Sequence, residues 1–301
     1  MFEQSRSQYN LISVRATSLT SGELFWPEPN SLEFPIPGFD MAGVVISPAS
    51  RSEFKTGDEV YALTSFSRAG AAREQQIALD AELALKPKSL SWEEAATVPL
   101  SALTASQALF VYAGLSALPQ DNEKDGEKKR VLVTAASGGV GVWAVQFASR
   151  AGAFVVATCG PSNIDFVKEL GAHEVLDYTN TNLSQWVQED DSRRFDIVID
   201  CKGGDTLAEA WTVVKPSGFL NSVAQPAETK KPATGVAEGV RTHWFIVDPD
   251  GGQLELVSNL IESGKCKAIV DSIWSLDDWR EAFQRLDSGH ARGKVVLKVS
   301  D

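Results

Sequence analysis

Ala136, Gly138 and Gly141 stand at the spacing of a phosphate-cradling turn, inside the run RVLVTAASGGVG of residues 130–141. Gly138 lets main chain approach a pyrophosphate, and Gly141 lets a following helix pack closely on the preceding strand. The helix start then offers unpaired N–H groups to the anion. Val131 to Thr134 form an apolar, β-branched run, and Val142, Val145, Gln146, Ala148 and Ser149 follow at helical spacing, so the segment reads as strand, tight turn, helix. Only the first glycine of the dinucleotide pattern is replaced, by the next smallest residue. The plain alternative is an ordinary βα turn; the elements around it favour the nucleotide reading, with Ser137, Gly138, Gly139 and Val140 as the contacts.

The choice of nucleotide is read from the next strand, Ala153 to Cys159, which ends Thr158-Cys159-Gly160 without an acid. A carboxylate at that position accepts hydrogen bonds from the adenosine 2′-hydroxyl and repels a 2′-phosphate, so its absence permits NADPH. Thr158 borders this position, and Ser162 and Asn163 at the start of the next helix can donate to the phosphate. Lys168 is the nearby cation. Ser162 reads equally well as a helix N-cap.

These residues need a scaffold, and the chain supplies an alternating one. After Arg130 the expected order is strand 131–135, helix to 151, strand 154–158, helix 162–170, strand 174–176, helix 183–188 and strand 196–200. Then follow helix 206–214, strand 219–223, strand Trp244 to Val247 and helix 252–263. Such alternation implies right-handed crossovers and a parallel sheet covered on both faces. Before it, residues 11–84 are short alternating runs (LISVRA, MAGVVI, GDEVYAL, REQQIAL) broken by turns such as Pro35-Ile36-Pro37-Gly38, the rhythm of a β-rich domain. One helix is expected from the N-cap Ser91 through Leu109, and a polar loop from Leu118 to Lys129. A helix around 276–286 and a strand 294–299 close the chain, so both ends build the β-rich domain.

Composition bounds the partners. With 301 residues, 43% hydrophobic and 23% charged, the chain suits two globular domains. A net charge of -12 argues against nucleic acid or an anionic membrane surface as partner. No run has the apolar length of a membrane span and MFEQSRSQYN lacks a signal-peptide core, so the expected place is the cytoplasm. Cys159, Cys201 and Cys266 are widely spaced and odd in number, which suits reduced thiols, and His173, His243 and His290 form no i, i+4 ligand pair.

Taken together, PIPGFDMAGVV (35–45), GDEVYAL (57–63), LSWEEAATVPLSALTASQAL (90–109), VLVTAASGGVGVWAVQFA, ELGAHEVLDYTN (169–180), FDIVIDC and GHARGKVVLKV resemble the zinc-free, quinone oxidoreductase-like branch of the medium-chain dehydrogenase/reductase superfamily. The resemblance runs through nearly the whole chain in order. It implies a Rossmann doubly wound parallel sheet at 105–267 and a GroES-like β-rich substrate domain at 1–104 and 268–301. That second domain is expected to be N-terminally shortened, because the family usually begins with another strand and hairpin. Where zinc-dependent relatives carry a histidine turn, this chain has Gly38-Phe39-Asp40, and no cysteine precedes Cys159, so no metal is expected.

By resemblance, Tyr178 contacts the 2′-phosphate, and Thr104, Val223, Ala224 and the main chain of Phe245, Ile246 and Val247 border the nicotinamide. Lys294 matches a tail lysine near the cofactor. Thr20 and Glu23 fall where relatives carry an Asn and an Asp at the substrate site, and Asp40 lies in the former zinc turn; Tyr61 is a further candidate donor. Each also has a structural reading: Glu23 solvated, Asp40 capping a turn, Tyr61 in the core. Trp26 and Phe66 are candidates for an apolar pocket. The expected activity is NADPH-dependent reduction of a quinone or α,β-unsaturated carbonyl by direct hydride transfer. The alternatives are an alkene reductase of a biosynthetic pathway and a non-catalytic NADPH-binding sensor. Oligomeric state stays open between a monomer and a homodimer paired through the edge strand near Trp244.

Overall fold

Residues 10–19, NLISVRATSL, alternate in burial along their first seven positions, with Ile12, Val14 and Ala16 fully buried, and form the strand β1 (Asn10–Leu19). In this computed structural model, which describes residues 8–26, 35–117 and 128–300, β1 is the centre of an otherwise antiparallel sheet. Its partners are β2 (Asp40–Ser47) and β13 (Lys294–Lys298), with β4 (Gln75–Ala78) also on β1. β3 (Glu59–Leu63) and β5 (Leu83–Leu85) continue one side, and β12 (Val270–Ser275), parallel to β13, ends the other. The register Ala16–Lys298 to Leu19–Val295 brings the end of β1 beside the start of β13, which places Lys294 near Thr20.

The chain divides into two compact units, residues 1–103 with 247–301 and residues 104–246. The sequence-based boundary at 267 therefore shifts to 247. The reason lies at the helix Gly251–Glu262, whose first residue presses on β5: a Cβ on Gly251 would stand 2.1 Å from the Leu83 carbonyl oxygen. That helix is built into the β-rich unit.

The expected helix 91–109 is also divided. Ser91 caps α1 (Trp92–Ala96) in a capping box with Glu94, but Pro99 has no N–H to continue it and begins α2 (Pro99–Ser106). A π-helical turn, Gln107–Tyr112, follows.

In the second unit six parallel strands lie in the order β11-β10-β9-β6-β7-β8, namely β6 (Arg130–Val133), β7 (Phe154–Cys159), β8 (Glu174–Asp177), β9 (Phe195–Asp200), β10 (Val214–Ser222) and β11 (Arg241–His243). Helices α3 (Gly139–Arg150), α4 (Ile164–Glu169), α5 (Leu183–Gln188) and α6 (Gly204–Val213) make the crossovers. Trp211 anchors one face, fully buried, its indole N–H donating to the Ala227 carbonyl at 2.9 Å. The order reverses between β6 and β9, so the carboxyl ends of these two strands form a topological switch point, the place where open α/β sheets take ligands.

Two expectations differ here. The last strand runs over Arg241–His243, paired with Phe219–Asn221, and Trp244 to Val247 lie beyond it. Aromatic packing explains the exit, since Tyr112 stacks on His243 at 4.0 Å and on Phe245 at 4.5 Å. β12 was not anticipated at all, because VDSIWS has no fully buried residue. Residues 118–127 of the expected polar loop lie outside the described residues. The remaining helices of the first unit are α7 (Gly251–Glu262) and α8 (Trp279–Asp287), the latter covering β12 and β13 through Ala282 and Phe283.

Candidate functional site

The two units carry two separate constellations. In the Rossmann unit, β6 runs into the turn Thr134–Gly138, where Ala135 takes a left-handed φ of 48°. Gly138 is the N-cap of α3 and adds no side-chain cap. The first bond into the helix is Val142 N–H to Gly138 C=O at 3.0 Å, so the N–H groups of Gly139, Val140 and Gly141 precede the helical ladder. A Cβ on Gly141 would meet the Ala135 oxygen at 2.4 Å and the Ala136 Cα at 2.7 Å, so only glycine lets helix and turn approach this closely. Turn and glycine N-cap together make a main-chain cradle that fits a dinucleotide's bridging phosphates.

Among the other expected cofactor residues, Thr158 and Asn163 bond to that cradle. Ala136 N–H donates to the Thr158 carbonyl at 2.9 Å, and Asn163 Nδ2 reaches Ser137 Oγ at 3.3 Å. Ser162 is exposed in the 3₁₀ turn Pro161–Asn163, which precedes α4. Tyr178 N–H donates to Cys159 C=O at 3.2 Å, and its exposed ring lies over Gly160, 3.7 Å from where a Cβ would stand. Val223 N–H donates to Asp200 C=O at 2.9 Å, half-buried, and Ala224 next to it is exposed. Thr104 is buried in α2, Ile246 is exposed beyond β11, and Val247 is buried in the first unit.

Sequence reading missed the residue that ties these strand ends together. Asp200 is fully buried; Oδ1 accepts from Thr134 Oγ1 at 2.7 Å, and Oδ2 accepts from Ser222 Oγ at 2.8 Å and Gly203 N–H at 2.9 Å. One carboxylate thus clamps the ends of β6, β9 and β10 at the switch point. Its signal was present: a charged residue ending the apolar run FDIVID has to find partners at the strand tip.

In the β-rich unit, Thr20, Glu23, Asp40 and Lys294 come together. Lys294 Nζ donates to Thr20 Oγ1 at 2.8 Å and pairs with Asp40 Oδ2 at 3.2 Å, both charged side chains almost wholly out of solvent. Asp40 also accepts from Ser18 Oγ at 2.6 Å and from Leu100 N–H at 2.6 Å. Lys294, expected beside the cofactor, has its ammonium engaged here.

Glu23, a candidate from the sequence, begins the 3₁₀ turn Glu23–Phe25 and is buried, which sets aside the alternative reading of it as a solvated acid. Oε2 accepts from Gly38 N–H at 3.2 Å, and Oε1 is buried with no partner among the described residues. Burial pushes this carboxyl up to about 7; Lys294 and the Thr20 and Gly38 amides pull it down, and Asp40 adds slightly to the rise. Beside it, Trp26, Phe39 and Phe66 form a three-ring cluster with centroids 6.1, 5.6 and 4.8 Å apart.

Tyr61 does not join this cluster as a donor. Its hydroxyl donates to Leu254 C=O at 2.7 Å and shares a bond with Ser258 Oγ at 2.8 Å, so it fastens α7 to β3, and burial pushes its pKa up. Tyr61→Phe is expected to lower stability by about 1 kcal/mol and leave turnover unchanged, measured by urea denaturation beside an activity assay.

The comparisons with known proteins agree with this architecture. The family described as zinc-binding dehydrogenase matches residues 170–297. A probable zinc-binding oxidoreductase of Arthroderma benhamiae, named as mitochondrial, is 50% identical over 293 residues, which cover 96% of this chain and 88% of that one. A chloroplast envelope quinone oxidoreductase homolog of Arabidopsis thaliana is 36% identical over 275 residues, 88% of this chain and 80% of that one. Among solved structures, the quinone oxidoreductase from Coxiella burnetii superposes with a TM-score of 0.83 at 26% identity, covering 98% of this chain and 92% of that one. The chain belongs to the quinone oxidoreductase-like branch of the medium-chain dehydrogenase/reductase superfamily, and it is an oxidoreductase. The organelles named for these relatives differ from the cytoplasm expected of this chain; no helix among the described residues is long and apolar enough to cross a membrane.

The family description names zinc, and the donors of this chain do not fit it. Among the described residues no three His, Cys, Asp or Glu side chains come together. Asp40, in the turn where a ligand would stand, is paired with a lysine ammonium. Cys159 and Cys266 are buried, and Cys201 has its thiol pushed up, first by burial and then by Asp200, away from the thiolate that binds metal.

Proposed function

We propose that this chain is an NADPH-dependent reductase of quinones or α,β-unsaturated carbonyl compounds that works without zinc. The observation that carries the reading is the main-chain cradle at Ala135–Gly141, set beside a β7 terminus, Thr158-Cys159-Gly160, that holds no carboxylate. When bound, NADPH supplies a hydride from C4 of its nicotinamide. Ser137, Gly138, Gly139 and Val140 would hold the bridging phosphates, and Ser162, Asn163 and Tyr178 the 2′-phosphate. Asp177, at the end of β8, directs its carboxylate into hydrogen bonds from Thr179 and Asn180.

The substrate class follows from what the β-rich unit offers. The wall of Trp26, Phe39 and Phe66 suits a flat apolar ring or conjugated system. A conjugated carbonyl delocalises the charge that hydride brings onto its oxygen, so it needs no metal to polarise it. Absorbance loss at the NADPH band tests the proposal, with a panel of quinones and enones against simple ketones, in protein treated with chelator. Turnover of the conjugated compounds with NADPH preferred over NADH is the expected result; tight NADPH binding with no oxidation by any of them would contradict it.

A further inference from the structure

Glu23 differs from Asp40 and Lys294 in one respect: one of its hydrogen-bonding atoms has no partner among the described residues. Asp40 spends both oxygens, on Leu100 N–H, Ser18 Oγ and Lys294 Nζ. Lys294 is divided between Asp40 and Thr20. Glu23 Oε2 takes the Gly38 amide and the Thr20 amide lies near the carboxyl, while Oε1 is buried and makes no hydrogen bond of ordinary geometry among the described residues. A buried polar atom without a partner is destabilising, and native proteins keep such an atom where something from outside completes it.

The charges that face Glu23 are Lys294 from β13 and Asp40 from β2, and they are paired with each other at 3.2 Å. Their fields at Glu23 therefore partly cancel, and desolvation is left as the largest influence on its carboxyl. Phe39, next to the Gly38 that binds Oε2, stacks with Trp26 and Phe66 and keeps that surrounding apolar. Such a carboxyl, pushed up to about 7, is protonated in a large share of molecules at neutral pH, and the O–H so formed has no acceptor among the described residues.

We propose that Glu23 is the proton donor of the reduction, passing its proton from Oε1 to the oxygen of a conjugated carbonyl substrate, a role that rests on the reductase reading above. Hydride from NADPH forms a C–H bond at the electrophilic carbon, the π electrons move to the carbonyl oxygen, and the Glu23 O–H breaks as the new O–H forms. Glu23 is left as a carboxylate and regains a proton from water, while the nicotinamide is left oxidised. Lys294, held by Asp40, stands near enough to steady that transient carboxylate; it is a positioning residue in this scheme.

The test compares the wild type with Glu23→Gln and Glu23→Asp in three measurements: the pH profile of turnover, NADPH affinity by fluorescence, and the infrared C=O band of a protonated carboxyl. Wild-type turnover is expected to fall as pH rises through about 7, because the acting form is the protonated one, and the carboxyl band is expected to fade over the same range. Glu23→Gln should lack both band and pH limb and turn over about 100-fold more slowly, with NADPH affinity unchanged. Glu23→Asp should keep the limb. Wild-type turnover and an intact limb in Glu23→Gln, or a wild-type protein with no carboxyl band fading near neutrality, would overturn the proposal and leave the reductase reading standing. A wild-type protein that binds NADPH but reduces no quinone or enone would defeat that reading, and the donor role with it. If Glu23→Gln does not fold, the wild-type infrared titration and Glu23→Asp decide the matter alone.

Discussion

Asp40→Ala is expected to destabilise the protein by about 3–5 kcal/mol, the range seen when one member of a buried ion pair is removed. The carboxylate is fully buried and satisfies three donors: Leu100 N–H, Ser18 Oγ and the Lys294 ammonium. Without it the ammonium loses its counter-ion and keeps the Thr20 hydroxyl, and the Leu100 amide loses the carboxylate it donates to at the start of α2. Desolvation of the stranded charge dominates, so Asp40→Ala combined with Lys294→Met should be less destabilised than Asp40→Ala alone. Urea denaturation of the two single variants and the double variant measures this. A loss below about 1 kcal/mol, typical of exposed pairs, would show that the two groups are solvated in solution.

Gly141→Ala is expected to weaken NADPH binding by about 100-fold. The added Cβ would stand 2.4 Å from the Ala135 carbonyl oxygen and 2.7 Å from the Ala136 Cα, both main-chain atoms of the turn, so the start of α3 has to move away from the cradle. A displaced helix start loses main-chain hydrogen bonding to a charged phosphate, each bond worth about 1.5–3 kcal/mol, and the loss of one such bond at the upper end of that range accounts for the expected factor. Stability should fall as well, by about 1–3 kcal/mol for a contact between backbone atoms that cannot yield. Fluorescence titration with NADPH checks the affinity; wild-type binding in Gly141→Ala would place the phosphates elsewhere.

Both arguments use residues whose legibility in the sequence differs. The turn at 135–141 could be read because its chemistry is local: glycine spacing, a β-branched run before it and a helical period after it are visible within twenty residues. The Rossmann order followed for the same reason, and the helix Leu183–Gln188 falls where its periodicity puts it. Features that depend on distant partners were harder to see. Trp244 to Val247 has strand composition, yet its aromatic neighbours draw it off the sheet after His243. Tyr61 carries a hydroxyl that could donate to a substrate, and only the arrival of Leu254 and Ser258 reveals that it is already occupied. The helix at 251–262 follows the alternating pattern of the Rossmann unit and still packs on β5, because a glycine at its first position permits the contact. Thr20, Glu23, Asp40 and Lys294 were each named from the sequence, but their assembly needs β1 and β13 in register across more than 270 residues. The sequence places both chain ends in the β-rich domain, but it does not carry the pairing register that assembles these four side chains. The burial of Glu23, on which its chemistry depends, arises from the same long-range closure.

The claim on which the rest depends is that a nicotinamide held by the Ala135–Gly141 cradle reduces a conjugated carbonyl without a metal. The direct measurement is label transfer: chelator-treated protein is given NADPH deuterated at C4 together with a quinone or enone, and the product is weighed by mass spectrometry. With an enone, deuterium at the carbon that accepts hydride, at an undiminished rate after chelation, is the result expected. Reduction that stops on chelation and returns with zinc, or product formed without the label, would contradict it.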